Sequence, residues 1–131
     1  MISIDITALY AGLLALLFIF LTINIIRLRL SLKVGVGDGG HPELVKAIRI
    51  HGNFAEFIPL FLLLMICYEL NGGAVIVLHL CGAAVFVGRI MHAIGLAKTI
   101  GASLLRQLGV MTIFISMLVL AVENIRLFVI A

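Results

Sequence analysis

A window of about 19 residues slid along the chain finds four long apolar stretches, over residues 6–30, 42–69, 73–96 and 104–128. Each can carry a helix through a bilayer core, which takes roughly 20 residues. The glycine-rich segment SLKVGVGDGGH separates the first two, and short connections around Asn71-Gly72 and from Lys98 to Ser103 join the others. Short connections make sequential helices antiparallel. The expectation is an all-α integral membrane protein, a four-helix bundle forming one domain over residues 1–131. Pro42 followed by Glu43 suits the first turn of the second helix. The first stretch reads as a membrane helix, not a signal peptide: it is too long, and Asp5 stands where a basic n-region would be. Pro59 predicts a kink in the second helix that frees the Ala55 carbonyl.

Polar residues interrupt this pattern most conspicuously in the second stretch, RIHGNFAEFIPLFLLLMICY, which holds Arg49, His51, Asn53 and Glu56. A charge at a helix centre in hydrocarbon costs roughly 2.5–3.5 kcal/mol even on insertion scales, so such residues mark function or internal pairing. Arg49, Asn53 and Glu56 follow the spacing i, i+4, i+7 and share one helix face. Glu56 lies about 20 Å along the helix from Pro42 at 1.5 Å per residue, near the bilayer middle. A lone carboxylate there would take up a proton, whereas an arginine or a bound cation would keep it ionised.

Composition agrees with a membrane location. The chain is 64% hydrophobic and 11% charged, whereas soluble domains are about a quarter charged. The net charge of +3 has no basic run, so nucleic acid is not an expected partner. Cys67 and Cys81 fall inside apolar stretches and read as small apolar groups. The four histidines show no spacing that would hold zinc, and no metal is expected. GVGDGG has neither a preceding strand nor a following Lys-Ser/Thr pair, so it reads as a loop and not a phosphate cradle.

Charge placement sets an orientation. Arg27, Arg29, Lys33, Lys46, Arg49, Arg89, Lys98 and Arg106 gather at one end of the four helices; Arg126 lies at the other with Asp5, Glu69 and Glu123. The positive-inside rule puts the basic end in the cytoplasm and both termini on the non-cytoplasmic side.

At that basic end Arg27 shares a face with Asn24, and Arg89 shares one with His92. Together with the second-helix face they could line a basic cavity with Glu56 at its floor. Such a cavity suits a small ligand with several carboxylates and one ammonium group, because arginine binds carboxylates through paired hydrogen bonds. Plainer readings stand beside this one. Arg29, Lys33, Lys46 and Lys98 fit side chains that snorkel to headgroups, and Arg49, Asn53 and Glu56 could form a purely structural network. Ala84/Gly88 and Ala93/Ala97 allow close helix packing, and His79 fits a packing or interface role.

The chain resembles the MAPEG family, the membrane-associated proteins in eicosanoid and glutathione metabolism, and its small bacterial members in particular. The resemblance rests on the IIRLRL end of the first helix, Arg49-x-His51-x-Asn53-x-x-Glu56-x-x-Pro59, Gly88-Arg89-x-x-His92, and Arg106 opening the fourth helix. It implies a homotrimer in the bacterial inner membrane that holds glutathione, as co-substrate, between subunits near the cytoplasmic side. Carried over by position, Arg27, Arg49, Asn53, Glu56, Arg89 and His92 would bind glutathione, with Glu56 facing its ammonium group. Arg106 would be catalytic, stabilising the thiolate that attacks a lipophilic small-molecule substrate arriving from the bilayer. Members with defined synthase activity carry tyrosines on the third helix where this chain has His92 and Leu96. The resemblance therefore implies a general glutathione transferase or peroxidase, not a specialised eicosanoid synthase. Two other functions compete: a non-catalytic lipid- or glutathione-binding scaffold of the same fold, and a small proton-coupled drug antiporter built on Glu56. The antiporter needs a carboxylate in a cavity poor in cations, and here arginines surround it.

Overall fold

The computed structural model describes residues 3–99 and 101–130. Four helices follow one another: α1 (Asp5–Leu32), α2 (Pro42–Leu70), α3 (Val75–Lys98) and α4 (Leu104–Ile130). Each is long and apolar enough to cross a membrane, and none of the described residues forms a strand. A helix is the natural form for such segments, because it satisfies its own backbone where no water can. The expected boundaries differ from these by two residues or fewer.

Both long helix starts and stops have local causes. Lys33 ends α1 in the left-handed region (φ 56°), and its N–H bonds the Arg29 carbonyl. The loop then turns through Gly37, Gly39 and Gly40, all at positive φ, which glycine adopts without a Cβ penalty. Pro42 opens α2, and the helix runs unbroken through Pro59 to Leu70.

Helix α3 packs most extensively on α4, α1 packs on α2 and α3, and α1 and α4 do not meet among the described residues. Close α3–α4 contact depends on glycines. A Cβ on Gly88 would strike the Thr112 side chain, and one on Gly109 would strike the Gly88 carbonyl oxygen. Gly82 likewise accepts the Tyr10 ring of α1 against its bare backbone. Of the expected small residues, Gly88 makes such a contact and Ala93 packs against the core; Gly95 and Gly109 add further close approaches.

The core is a column of Leu14, Phe54, Phe61, Met65, Tyr68, Leu78, Val85, Ile113 and Leu120. Outside it, large apolar side chains such as Leu16, Phe20, Leu118 and Phe128 stand exposed, as the lipid-facing surface of a membrane protein requires.

Polar side chains tie the helices together at the end that carries both termini. Glu69 on α2 accepts the Ile6 and Thr7 N–H groups (2.9 and 2.8 Å) and so caps the start of α1 from another helix. Tyr68 donates to Glu123 on α4 (3.1 Å), and its oxygen accepts the Ala74 N–H at the start of α3. Glu123 also pairs with Arg126 at 2.7 Å. His79 meets the Tyr10 hydroxyl at 3.1 Å, which gives it the expected packing role. Cys67 and Cys81 are free thiols.

Candidate functional site

The basic end is built differently, around a cavity of about 550 Å³ between α2, α3 and α4. Its wall comprises Ile48, Arg49, Gly52, Asn53 and Glu56 from α2, His92 and Leu96 from α3, and Arg106 and Val110 from α4. The spacing of Arg49, Gly52, Asn53 and Glu56 keeps them on one helical face. The volume falls within the roughly 300–1,000 Å³ of small-molecule sites.

Five of the seven residues singled out from the sequence line this cavity: Arg49, Asn53, Glu56, His92 and Arg106. Arg89 does not. It is 2% exposed, turned inward behind the wall, where Nη1 donates to Asn53 Oδ1 at 2.8 Å and Nη2 to the Gly109 carbonyl at 2.9 Å. Arg89 thus fixes Asn53 in place and fastens α3 to α2 and α4. With its oxygen held by Arg89, the Asn53 amide keeps its NH₂ group for another acceptor at the cavity.

Arg27 does not reach this cavity either. It is exposed on α1, and α1 contributes nothing to the wall. His51, which alternates with the site residues along α2, faces α1 instead: it stacks on Phe18 and meets Thr22 Oγ1 at 3.1 Å.

The electrostatics of the wall are unbalanced. Among the described residues neither Arg49 nor Glu56 has an ion-pair partner, and both are exposed on a membrane-spanning helix. The structural network from Arg49 through Asn53 to Glu56 is therefore not formed; Asn53 turns to Arg89. His92 is 5% exposed, yet neither ring nitrogen forms a hydrogen bond of good geometry, although the Arg106 backbone carbonyl comes close. Buried polar groups nearly always have partners, so each exception needs a cause. A ligand in the cavity is a sufficient one.

Arg106 occupies the first turn of α4. A cation at a helix N-terminus opposes the helix dipole, which favours anions there by about 0.3–1 kcal/mol. The guanidinium and the positive end of the helix dipole together make this corner of the cavity receptive to an anion. Leu96 and Val110 supply an apolar wall beside it. Gly52 and Val110 were not expected, although both follow from helical spacing to Arg49, Glu56 and Arg106. No group of His, Cys, Asp and Glu that could hold a metal occurs among the described residues.

Residues 7–126 match the sequence profile of the MAPEG family. The chain belongs to the MAPEG family. Its similarity extends to inner membrane protein YecN from Escherichia coli strain K12, at 41% identity over 90 residues covering 69% of each chain. The same protein from Escherichia coli O6:H1 matches equally. No solved structure matches the chain. As a MAPEG member it is an integral membrane protein, with its polar cavity at the basic end of four apolar helices.

Proposed function

We propose that the cavity binds glutathione and that the protein is a membrane glutathione transferase, conjugating the tripeptide's thiolate to lipophilic electrophiles. The observation that carries this reading is the set of unpaired groups around one cavity: Arg49, Glu56, the Asn53 amide and the His92 ring. Glutathione offers two carboxylates, one ammonium group and a thiol. Arg49 answers a carboxylate, Glu56 the ammonium group, and the Asn53 NH₂ group a further oxygen. Arg106 and the α4 N-terminus then face the sulfur.

A thiol of pKa about 8.5 is roughly 3% ionised at pH 7, and a neighbouring cation raises that fraction. The thiol proton leaves to solvent through the basic end, and the thiolate stays beside Arg106. Its lone pair forms the new C–S bond as the leaving group departs with its electrons. When the acceptor is a lipid hydroperoxide, the thiolate attacks the terminal peroxide oxygen, and the S–O bond forms as the O–O bond breaks. The alkoxide leaves and takes up a proton, and a second glutathione converts the resulting sulfenic acid to the disulfide and water.

Assembly belongs to this proposal. Arg49 and Glu56 lie on an exposed face of a membrane helix, where hydrocarbon would penalise both, so a second copy covers that face. Exposed Arg27 on the neighbour's α1 then supplies the cation that its own cavity lacks. The family resemblance favours three copies, and the positive-inside rule favours a site open to the cytoplasm of a bacterial inner membrane.

Purified protein should conjugate glutathione to a chlorodinitrobenzene-type electrophile, and Arg106→Ala should lose rate much more than glutathione affinity. Tight binding without turnover across a broad electrophile panel would point instead to a scaffold. Proton-coupled export abolished by Glu56→Gln, without glutathione binding, would point to an antiporter.

A further inference from the structure

A second groove, of about 480 Å³, lies at the basic end of α1, on residues that the glutathione cavity does not use. It is lined by Ile26, Arg29, Leu30, Lys33, Val34 and Gly35. We propose that this groove binds an anionic phospholipid, with the phosphate between Arg29 and Lys33 and an acyl chain laid along α1.

Four observations support the assignment. First, the Arg29 side chain is held in place. Its Nη1 donates to the carbonyls of Val34 (3.4 Å), Gly35 (3.3 Å) and Gly37 (2.9 Å). Among the described residues Nε and Nη2 have no partner, so the fork presents fixed donors, the form in which arginine recognises phosphate. Second, Lys33 is set by the left-handed turn that ends α1 (φ 56°). Its side chain is exposed and forms no hydrogen bond or ion pair within the described residues, and no acidic side chain lines the groove to neutralise either cation.

Third, the depth is right. Helix α1 has 28 residues, about 42 Å at 1.5 Å per residue, against a hydrocarbon core of roughly 30 Å. The surplus of about 12 Å, shared between the two ends, places about the last turn, which holds Arg29, among headgroups. Fourth, an apolar track leads away from the two cations. Ile19, Ile23, Ile26 and Leu30 recur at i, i+4, i+7 and i+11, and all four are more than half exposed. A phosphate ion would use only the upper half of this site; a phospholipid uses both halves.

Arg29 is also set apart from Arg27, the residue proposed to meet a neighbouring subunit: the two lie about 160° apart around the helix, with the apolar track between them.

The test is native mass spectrometry of the full chain in dodecyl maltoside, titrated with dioleoylphosphatidylglycerol and, separately, dioleoylphosphatidylcholine. Thermal unfolding with inorganic phosphate serves as a third arm. Phosphatidylglycerol should bind preferentially, and phosphate alone should not raise the unfolding temperature as the lipid does. A basic residue near a membrane surface contributes on the order of fivefold in affinity for anionic lipid. Lys33→Asn, chosen because asparagine tolerates the left-handed backbone, should lose about that much, and Arg29→Gln/Lys33→Asn roughly thirtyfold. Lys98→Gln removes a charge elsewhere at the same end and should change nothing. Equal binding of the two lipids, unchanged phosphatidylglycerol binding in Lys33→Asn, or an equal effect of phosphate would overturn the assignment. The Lys33→Asn arm stays decisive if loss of the Arg29 loop contacts unfolds the double variant.

Discussion

Arg89 donates a 2.8 Å hydrogen bond to Asn53 Oδ1 from behind the cavity wall, so a charge expected in the binding site is spent on orienting its neighbour. Arg89 also holds the Gly109 carbonyl, and its burial leaves Nε without a partner. Hydrogen bonds to charged groups contribute about 1.5–3 kcal/mol each. Arg89→Ala should therefore destabilise the bundle by on the order of 2–4 kcal/mol in denaturant titrations of the micellar protein. Arg27→Ala, which removes an exposed side chain, should leave protomer stability within about 0.5 kcal/mol. Equal effects would contradict the placement of the two arginines.

The α3–α4 seam predicts an order of damage. At Gly109 an added methyl meets backbone, at Gly88 the side chain of Thr112. A side chain can yield and a carbonyl cannot. Gly88→Ala should cost about 1–3 kcal/mol, the usual range for overpacking, and Gly109→Ala more. The same titrations check the ranking.

At the opposite end, Glu69 caps α1 from α2 through the Ile6 and Thr7 amides. Lost caps cost about 0.5–2 kcal/mol. Glu69→Ala should fall in that range and speed amide hydrogen exchange in the first turn of α1, while glutathione affinity stays unchanged. An effect on affinity would show that the two ends are coupled.

Arg106→Ala tests the chemistry through pH. If Arg106 acts by raising the thiolate fraction, its loss returns the bound thiol to the ordinary range near 8.5, costing up to about thirtyfold in rate at pH 7. The deficit is present below that pKa and shrinks as pH rises through it, because the thiol then ionises unaided. Rates at neutral pH and near pH 9, with ultraviolet absorbance of the bound thiolate, measure this. A deficit independent of pH would assign Arg106 to substrate positioning.

Much of this architecture was legible in the residues. Four apolar stretches gave four helices, and the i, i+4, i+7 spacing of Arg49, Asn53 and Glu56 put them on the cavity wall. Charge clustering brought Arg106 to the same end. The direction in which Arg89 points was hidden, because α3 is apolar all round: with lipid outside and core inside, sequence offers little contrast to say which face is which. His51 was hidden for a related reason. It lies two residues from both Arg49 and Asn53, and only the fold shows that it turns to Phe18 and Thr22 on α1. The glycine contacts at Gly82, Gly95 and Gly109 depend on how neighbouring helices approach, which no local pattern encodes.

The most direct test of the central claim is calorimetric titration of the detergent-solubilised protein with glutathione. Binding should be saturable, lost in both Arg49→Gln and Glu56→Gln and retained within a few-fold in Arg106→Ala. No heat of binding at millimolar glutathione would contradict it, and would leave Arg49 and Glu56 as structural charges.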